Sequence, residues 1–207
     1  MRRIFAFSTI LLAGSLAASA QEGVKQTETL IKKGEQTVKA MTEAKVQLEK
    51  TLANYNTIVD GKAADPKASY KDLGKAVKDT EDRVAAVTKS KEEMDAEAGT
   101  LFASWKVSTD AIGSPDLKKK SQDRLDETQA RYGKIATAGK DARGEYDAFL
   151  TGLKDQITFL GHDLNPAAMA SLKPEAAKLN DKAKTMFGKI DAAAAAANSS
   201  IDGMRQK

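Results

Sequence analysis

His162 is the only histidine in the 207-residue chain, and there is no cysteine. A nucleophilic triad needs a histidine beside a hydroxyl or thiol, oriented by a carboxylate. Any such site would therefore have to turn on His162. It lies in the segment Gly161-His162-Asp163-Leu164-Asn165-Pro166. With Asp163 beside it at an exposed corner, it could hold a small ligand or a metal weakly. One imidazole among scattered carboxylates is a poor set for a transition metal. The plainer reading is a helix boundary. A histidine in a last helical turn meets the negative end of the dipole and can bond free carbonyls. Asn165 would then cap the next helix. Trp105, the only tryptophan, falls on an apolar helical row and reads as core before ligand platform. His162, Asp163, Asn165 and Trp105 are thus the candidate binding residues.

Other chemistries lack their residues. Glu-x-x-His pairs of a di-iron bundle are absent, as are G-x-G-x-x-G and G-x-x-x-x-G-K-[ST] phosphate loops. Without cysteine there are no thiolate zinc sites, disulfides, haem attachment or N-terminal lipidation. Nothing singles out a pair of carboxylates for glycosidase work. The expectation is a non-enzymatic protein with no catalytic residue, no cofactor and no metal site.

The N-terminus points to export. Arg2 and Arg3 precede a mainly apolar stretch, Ile4 to Leu16, and Ala18-Ser19-Ala20 fits small-x-small cleavage. Residues 1–20 read as a secretory signal peptide cut after Ala20, leaving 21–207 as one domain in the periplasm or outside the cell. The leader takes two of the 33 basic residues and none of the 29 acidic ones. The mature balance of 31 to 29 gives no electrostatic case for nucleic acid. No second apolar stretch is long enough for a stable membrane anchor.

The elements that must position the candidates follow from punctuation. Gly61 precedes Asp65-Pro66, Gly113 precedes Ser114-Pro115, and Gly161 precedes Asn165-Pro166. Each reads as a helix stop, an N-cap and a proline at the first helical position. Four helices result, at about 24–59, 66–112, 115–161 and 166–204, with Pro174 kinking or restarting the last. In the first, Val24, Ile31, Val38, Leu52 and Val59 form one heptad row, with Lys45 in the remaining slot. Gly34, Met41, Leu48 and Tyr55 form its companion. The second carries Tyr70, Val77, Val84, Lys91, Ala98 and Trp105 beside Leu73, Thr80, Val87, Met94 and Leu101. The third carries Leu125, Tyr132, Tyr146, Leu153 and Leu160 beside Ile135, Ala142 and Phe149; the fourth runs through Leu179, Met186, Ile190 and Ala197. Lys45 and Lys91 should snorkel or meet carboxylates. The fold class is all-α: four long antiparallel helices in an up-down-up-down bundle with coiled-coil-like heptad packing.

The segment Phe159-Leu160-Gly161-His162-Asp163-Leu164-Asn165-Pro166-Ala167-Ala168-Met169-Ala170-Ser171-Leu172 resembles the F-L-x-H-[ND]-L-N-x-x-A-x-x-S-L signature of an uncharacterised bacterial family, domain of unknown function 2959. Asp155-Gln156, Leu101-Phe102, Trp105, Ser121, Leu125, Thr128 and Tyr132 fit as well. The resemblance implies an exported, all-helical protein, often a lipoprotein. With no cysteine, this chain departs from lipid anchoring. No activity comes with the resemblance.

Three readings of function remain from sequence. A periplasmic structural, adaptor or chaperone-like binding protein, with a protein partner or self-association, accounts best for the long seams. A small-ligand or metal-binding bundle would place its site at the His162 corner. A membrane-surface protein laying a lysine-rich face on lipid is disfavoured by the near-neutral charge.

Overall fold

A computed structural model describes residues 13–205. Among them the chain is all helical: α1 Ala13–Val59, α2 Pro66–Asp110, α3 Pro115–His162, α4 Pro166–Ser171 and α5 Lys173–Arg205. Residues 1–12 of the expected leader lie outside the described residues, and 13–20 already belong to α1. That helix starts earlier than the expected residue 24 because no proline precedes Pro66 and Ala, Leu and Glu favour continuation.

All three corner prolines open helices, at the first positions of α2, α3 and α4. The Asp65 carboxylate accepts from Lys67 N–H at 2.9 Å and Ala68 N–H at 3.0 Å. Asn165 caps α4 likewise, whereas Ser114 makes no side-chain cap bond. The glycine stops are not alike. Gly61 alone has positive φ, 71°. Its N–H reaches Ile58 C=O at 2.9 Å and Lys62 N–H reaches Thr57 C=O at 3.0 Å, the Schellman closure of α1. Gly161 instead lies inside α3, where a Cβ would come 2.5 Å from the Tyr70 hydroxyl. It is a site of close approach one residue before α3 ends at His162, close to the expected end. The expected fourth helix is divided: Leu172 caps α4 and α5 restarts at Lys173, because Pro174 has no N–H to continue the ladder.

Contacts join α1 to α2, α2 to α3, α3 to α5 and α5 to α1, and α4 touches α1 and α5. The α1–α2 contact is the most extensive of the four and α2–α3 the sparsest. Partner numbers fall on one helix as they rise on the other. Thr37 meets Ser90 and Thr51 meets Thr80; Lys45 meets Asp191 and Asn56 meets Asn180.

The α1 seam keeps part of the expected one, with Gly34, Leu48 and Tyr55 of the companion row and Leu52 and Val59 of the first row buried, but the first row is displaced by one residue along much of its length. Leu30, Thr37, Ala44, Thr51 and Ile58, seven apart, are all buried, whereas Val24 is 61% exposed and Ile31, Val38 and Lys45 are half-buried. Thr37 and Thr51 turn inward without penalty because their hydroxyls are satisfied, Thr51 by the carbonyls of Gln47 and Ala76 and by Thr80. Small side chains on this row let α2 approach closely. The α3 rows lie as expected: Leu125, Ile135, Ala142, Tyr146, Phe149, Leu153 and Leu160 are buried. Lys45, on the flank, meets Asp191 at 2.7 Å and lies 5.9 Å from the Phe187 ring centre.

Candidate functional site

The His162 corner is assembled by its own backbone. α3 ends at His162, and Asp163 follows in extended conformation. The Asp163 carboxylate accepts from Asn165 N–H at 3.2 Å and from Asn165 Nδ2 at 2.7 Å. The Asn165 carbonyl oxygen in turn accepts from Ala168 N–H at 2.8 Å. Asp163 thus orients the amide that caps α4. His162 is exposed and makes no hydrogen bond or ion pair among the described residues. No group of three or more His, Asp or Glu side chains among those residues could hold a metal ion.

Trp105 does not join this corner. It is half-buried at the other end of α3, where its indole N–H donates to Ser121 Oγ at 3.2 Å and Ser121 meets Thr109 at 2.6 Å. From Ser121 to His162 is about 60 Å of helix at 1.5 Å per residue. Sequence named four candidates, and the fold places three at one end and one at the other.

Other residues of the resemblance also do structural work. Tyr132 donates to Asp95 at 2.6 Å and stands edge-on to Phe102, ring centres 5.8 Å apart. The Tyr55 hydroxyl, on a fully buried ring, donates to Gln156 Oε1. Burial, with the charge of Glu175, pushes the Tyr55 phenol well above its ordinary value. Burial and the Asp95 carboxylate do the same to Tyr132.

Sequence reasoning missed a cavity between the helices. The core is split into two clusters. One gathers Leu52, Tyr55, Leu73, Phe149, Leu160 and Met186; the other gathers Leu30, Met94, Ala98, Leu101, Ile135 and Ala197. Between them lies a cavity of about 450 Å³. Met41 and Leu48 of α1, Val84, Val87 and Met94 of α2, Ile135 and Tyr146 of α3, and Ile190 of α5 form its walls. Small residues leave the space: Ala136, Gly139 and Ala142 on α3, Ala193 and Ala197 on α5. The only exposed residues in the lining, Lys140 and Arg143, are on α3, and half-buried Thr88 and Lys91 face them from α2. The mouth therefore lies along the sparse α2–α3 contact.

Side chains strap this mouth. Arg143 Nη1 crosses to Thr88 Oγ1 at 3.2 Å while its Nε bonds the Asp147 carboxylate at 2.8 and 3.0 Å. Its guanidinium lies 5.7 Å from the Tyr146 ring centre. The Lys91 stem passes over Gly139, where a Cβ would be 3.9 Å from Lys91 Cε, and its ammonium meets Asp95. Burial, abetted by Glu81, pushes the Tyr146 phenol up to about 12. A pocket of this size with apolar walls and few polar groups has the form of a small-molecule site. It offers no nucleophile–base pair.

No curated protein and no solved structure matches the chain. A family model does, over residues 16–204. The chain belongs to the family described as protein of unknown function DUF2959.

Proposed function

We propose that this is a non-enzymatic binding protein that receives an apolar guest between α2 and α3. In this reading the four long helices form an antiparallel, up-down-up-down bundle with coiled-coil-like seams, roughly 50–70 Å long. The leader is removed after Ala20 and the bundle works in the periplasm. The observation that carries the reading is the cavity that divides the core. Protein interiors pack like organic crystals, and an unfilled space lowers stability by an amount that grows with its volume. A cavity of about 450 Å³ with a mouth lowers stability, and a guest that fills it would recover that loss.

The heptad rows that suggested an adaptor are largely consumed within the chain, by α1 on α2 and α3 on α5. No helix among the described residues is long and apolar enough to cross a membrane. The His162 corner reads as a helix boundary, with Asn165 as cap and Asp163 as its support.

Titration with a neutral apolar reporter, N-phenylnaphthylamine, tests this. Its fluorescence should rise with the purified protein and fail to rise with Gly139→Leu. That substitution carries bulk toward the mouth from a position where a Cβ meets nothing closer than 3.9 Å. No rise with the unaltered protein, or an equal rise with the variant, would contradict the proposal.

A further inference from the structure

We infer that the guest is a single-chain amphiphile with an anionic head, of which a fatty acid is the simplest case. Its chain lies in the cavity and its head at the α2–α3 mouth. This names the ligand class for the binding function proposed above and rests on that reading.

The shape favours a chain over a compact ring system. On α1 the lining runs from Thr37 to Leu48 and on α3 from Ile135 to Tyr146. Each span is about 16 Å of helix. The space is thus long along the bundle axis and bounded across it by four helices. Its threonine hydroxyls are already engaged. Thr37 Oγ1 bonds Lys33 C=O and Ser90, and Thr88 Oγ1 bonds Val84 C=O and Arg143. A polar group carried inside would lose its hydration and find neither threonine hydroxyl free to replace it. A hydrocarbon chain loses nothing there.

The mouth has the opposite character, and one sign. Lys91, Lys140 and Arg143 line the cavity, and no carboxylate does. Asp95 answers Lys91 and also accepts from Tyr132; Asp147 answers Arg143 through Nε. Lys140 has no ion pair among the described residues, and Arg143 Nη2 makes no hydrogen bond among them. Three cations against two carboxylates leave one positive charge at the opening. The free Arg143 Nη2 is a natural donor to a carboxylate. A head group of negative charge completes this set, and a cationic one is repelled by it.

Calorimetric titration with dodecanoate and with dodecanol, below the micelle threshold, separates the two halves of the inference. Dodecanoate should bind about tenfold or more tightly than dodecanol, the order expected of a charge-assisted hydrogen bond. Lys140→Glu alters an exposed side chain without an ion pair and so leaves the fold intact. It should erase most of that preference while sparing dodecanol, and Lys140→Gln with Arg143→Gln should do so more fully. Gly139→Leu should abolish both titrations. Equal affinity for acid and alcohol, a preference that survives Lys140→Glu, or tighter binding of dodecyltrimethylammonium would overturn the anionic head while leaving the apolar site standing. If naphthylamine binds and neither dodecyl compound does, the ligand class is wrong. If none of them binds, the binding function itself fails.

Discussion

Thr51 and Thr80 meet across α1 and α2 with hydroxyls 2.8 Å apart, both fully buried, and both hydroxyls also lie within reach of Ala76 C=O. This is a polar contact at the heart of an otherwise close-packed helix pair. Thr51→Val should cost about 1 kcal/mol, the net value of a buried neutral hydrogen bond. Thr80 keeps its bond to Ala76, which limits the loss. The Thr51→Val, Thr80→Val pair should cost less than the two singles together, because each single already removes the shared Thr51–Thr80 bond. Urea unfolding of the four proteins measures the coupling.

Two glycines should respond in opposite directions. A Cβ at Gly34 would come within 3.0 and 3.1 Å of the Ile201 side chain. Gly34→Leu should therefore overpack the α1–α5 contact and cost about 1–3 kcal/mol. Gly139→Ala meets only ordinary contact and should stabilise α3 by about 0.5–1 kcal/mol. Thermal unfolding of the two variants gives both signs.

At the corner, Asn165→Ala removes the cap of α4 and should cost about 1 kcal/mol. Asp65→Ala removes two bonds at the start of α2 and should cost a similar amount. His162→Ala should change stability by less than about 0.5 kcal/mol, as for an exposed side chain without partners. A large loss from His162→Ala, in the same denaturation series, would restore that residue to the site.

Alkaline stability follows from the buried phenols. Tyr55, Tyr132 and Tyr146 are all harder to ionise folded than unfolded, chiefly through burial. A raised folded pKa means that the unfolded chain gives up its protons first. Their contribution is whole below about pH 10, the ordinary tyrosine value, and declines as pH rises through the folded values, that of Tyr146 being about 12. Urea midpoints should fall across this window, and the phenolate absorbance of the folded protein should lag behind that of the unfolded chain. Tyr146→Phe should flatten the decline.

The legible parts of the sequence were those marked by strong local chemistry. Prolines at 66, 115 and 166 fixed three helix starts, and the large apolar residues of α3 fixed its buried rows. In α1, Leu48, Leu52, Tyr55 and Val59 are buried as read, but one row was displaced by a residue because Thr37, Ala44 and Thr51, which carry it, do not register as strongly apolar. Their inward position depends on partners in α2, supplied only by the fold. The end of α3 beside Gly161 was legible, but nothing local indicates that Tyr70 will lie against that glycine. The cavity was hidden for a related reason. Val84, Val87, Met94 and Ile190 carry a correct core pattern, but a void is a deficit of volume across four helices. Its faint trace was the small residues Ala136, Gly139 and Ala142 of α3 and Ala193 and Ala197 of α5.

The most direct measurement is a methyl-resolved nuclear magnetic resonance titration with dodecanoate. Met41, Met94, Ile135 and Ile190 line the cavity, while Ile58 and Leu73 lie in the core cluster beyond it. The account predicts saturable shifts concentrated on the first four methyl groups and small at Ile58 and Leu73. Shifts absent from the cavity methyls, or centred instead on the His162 corner, would contradict it.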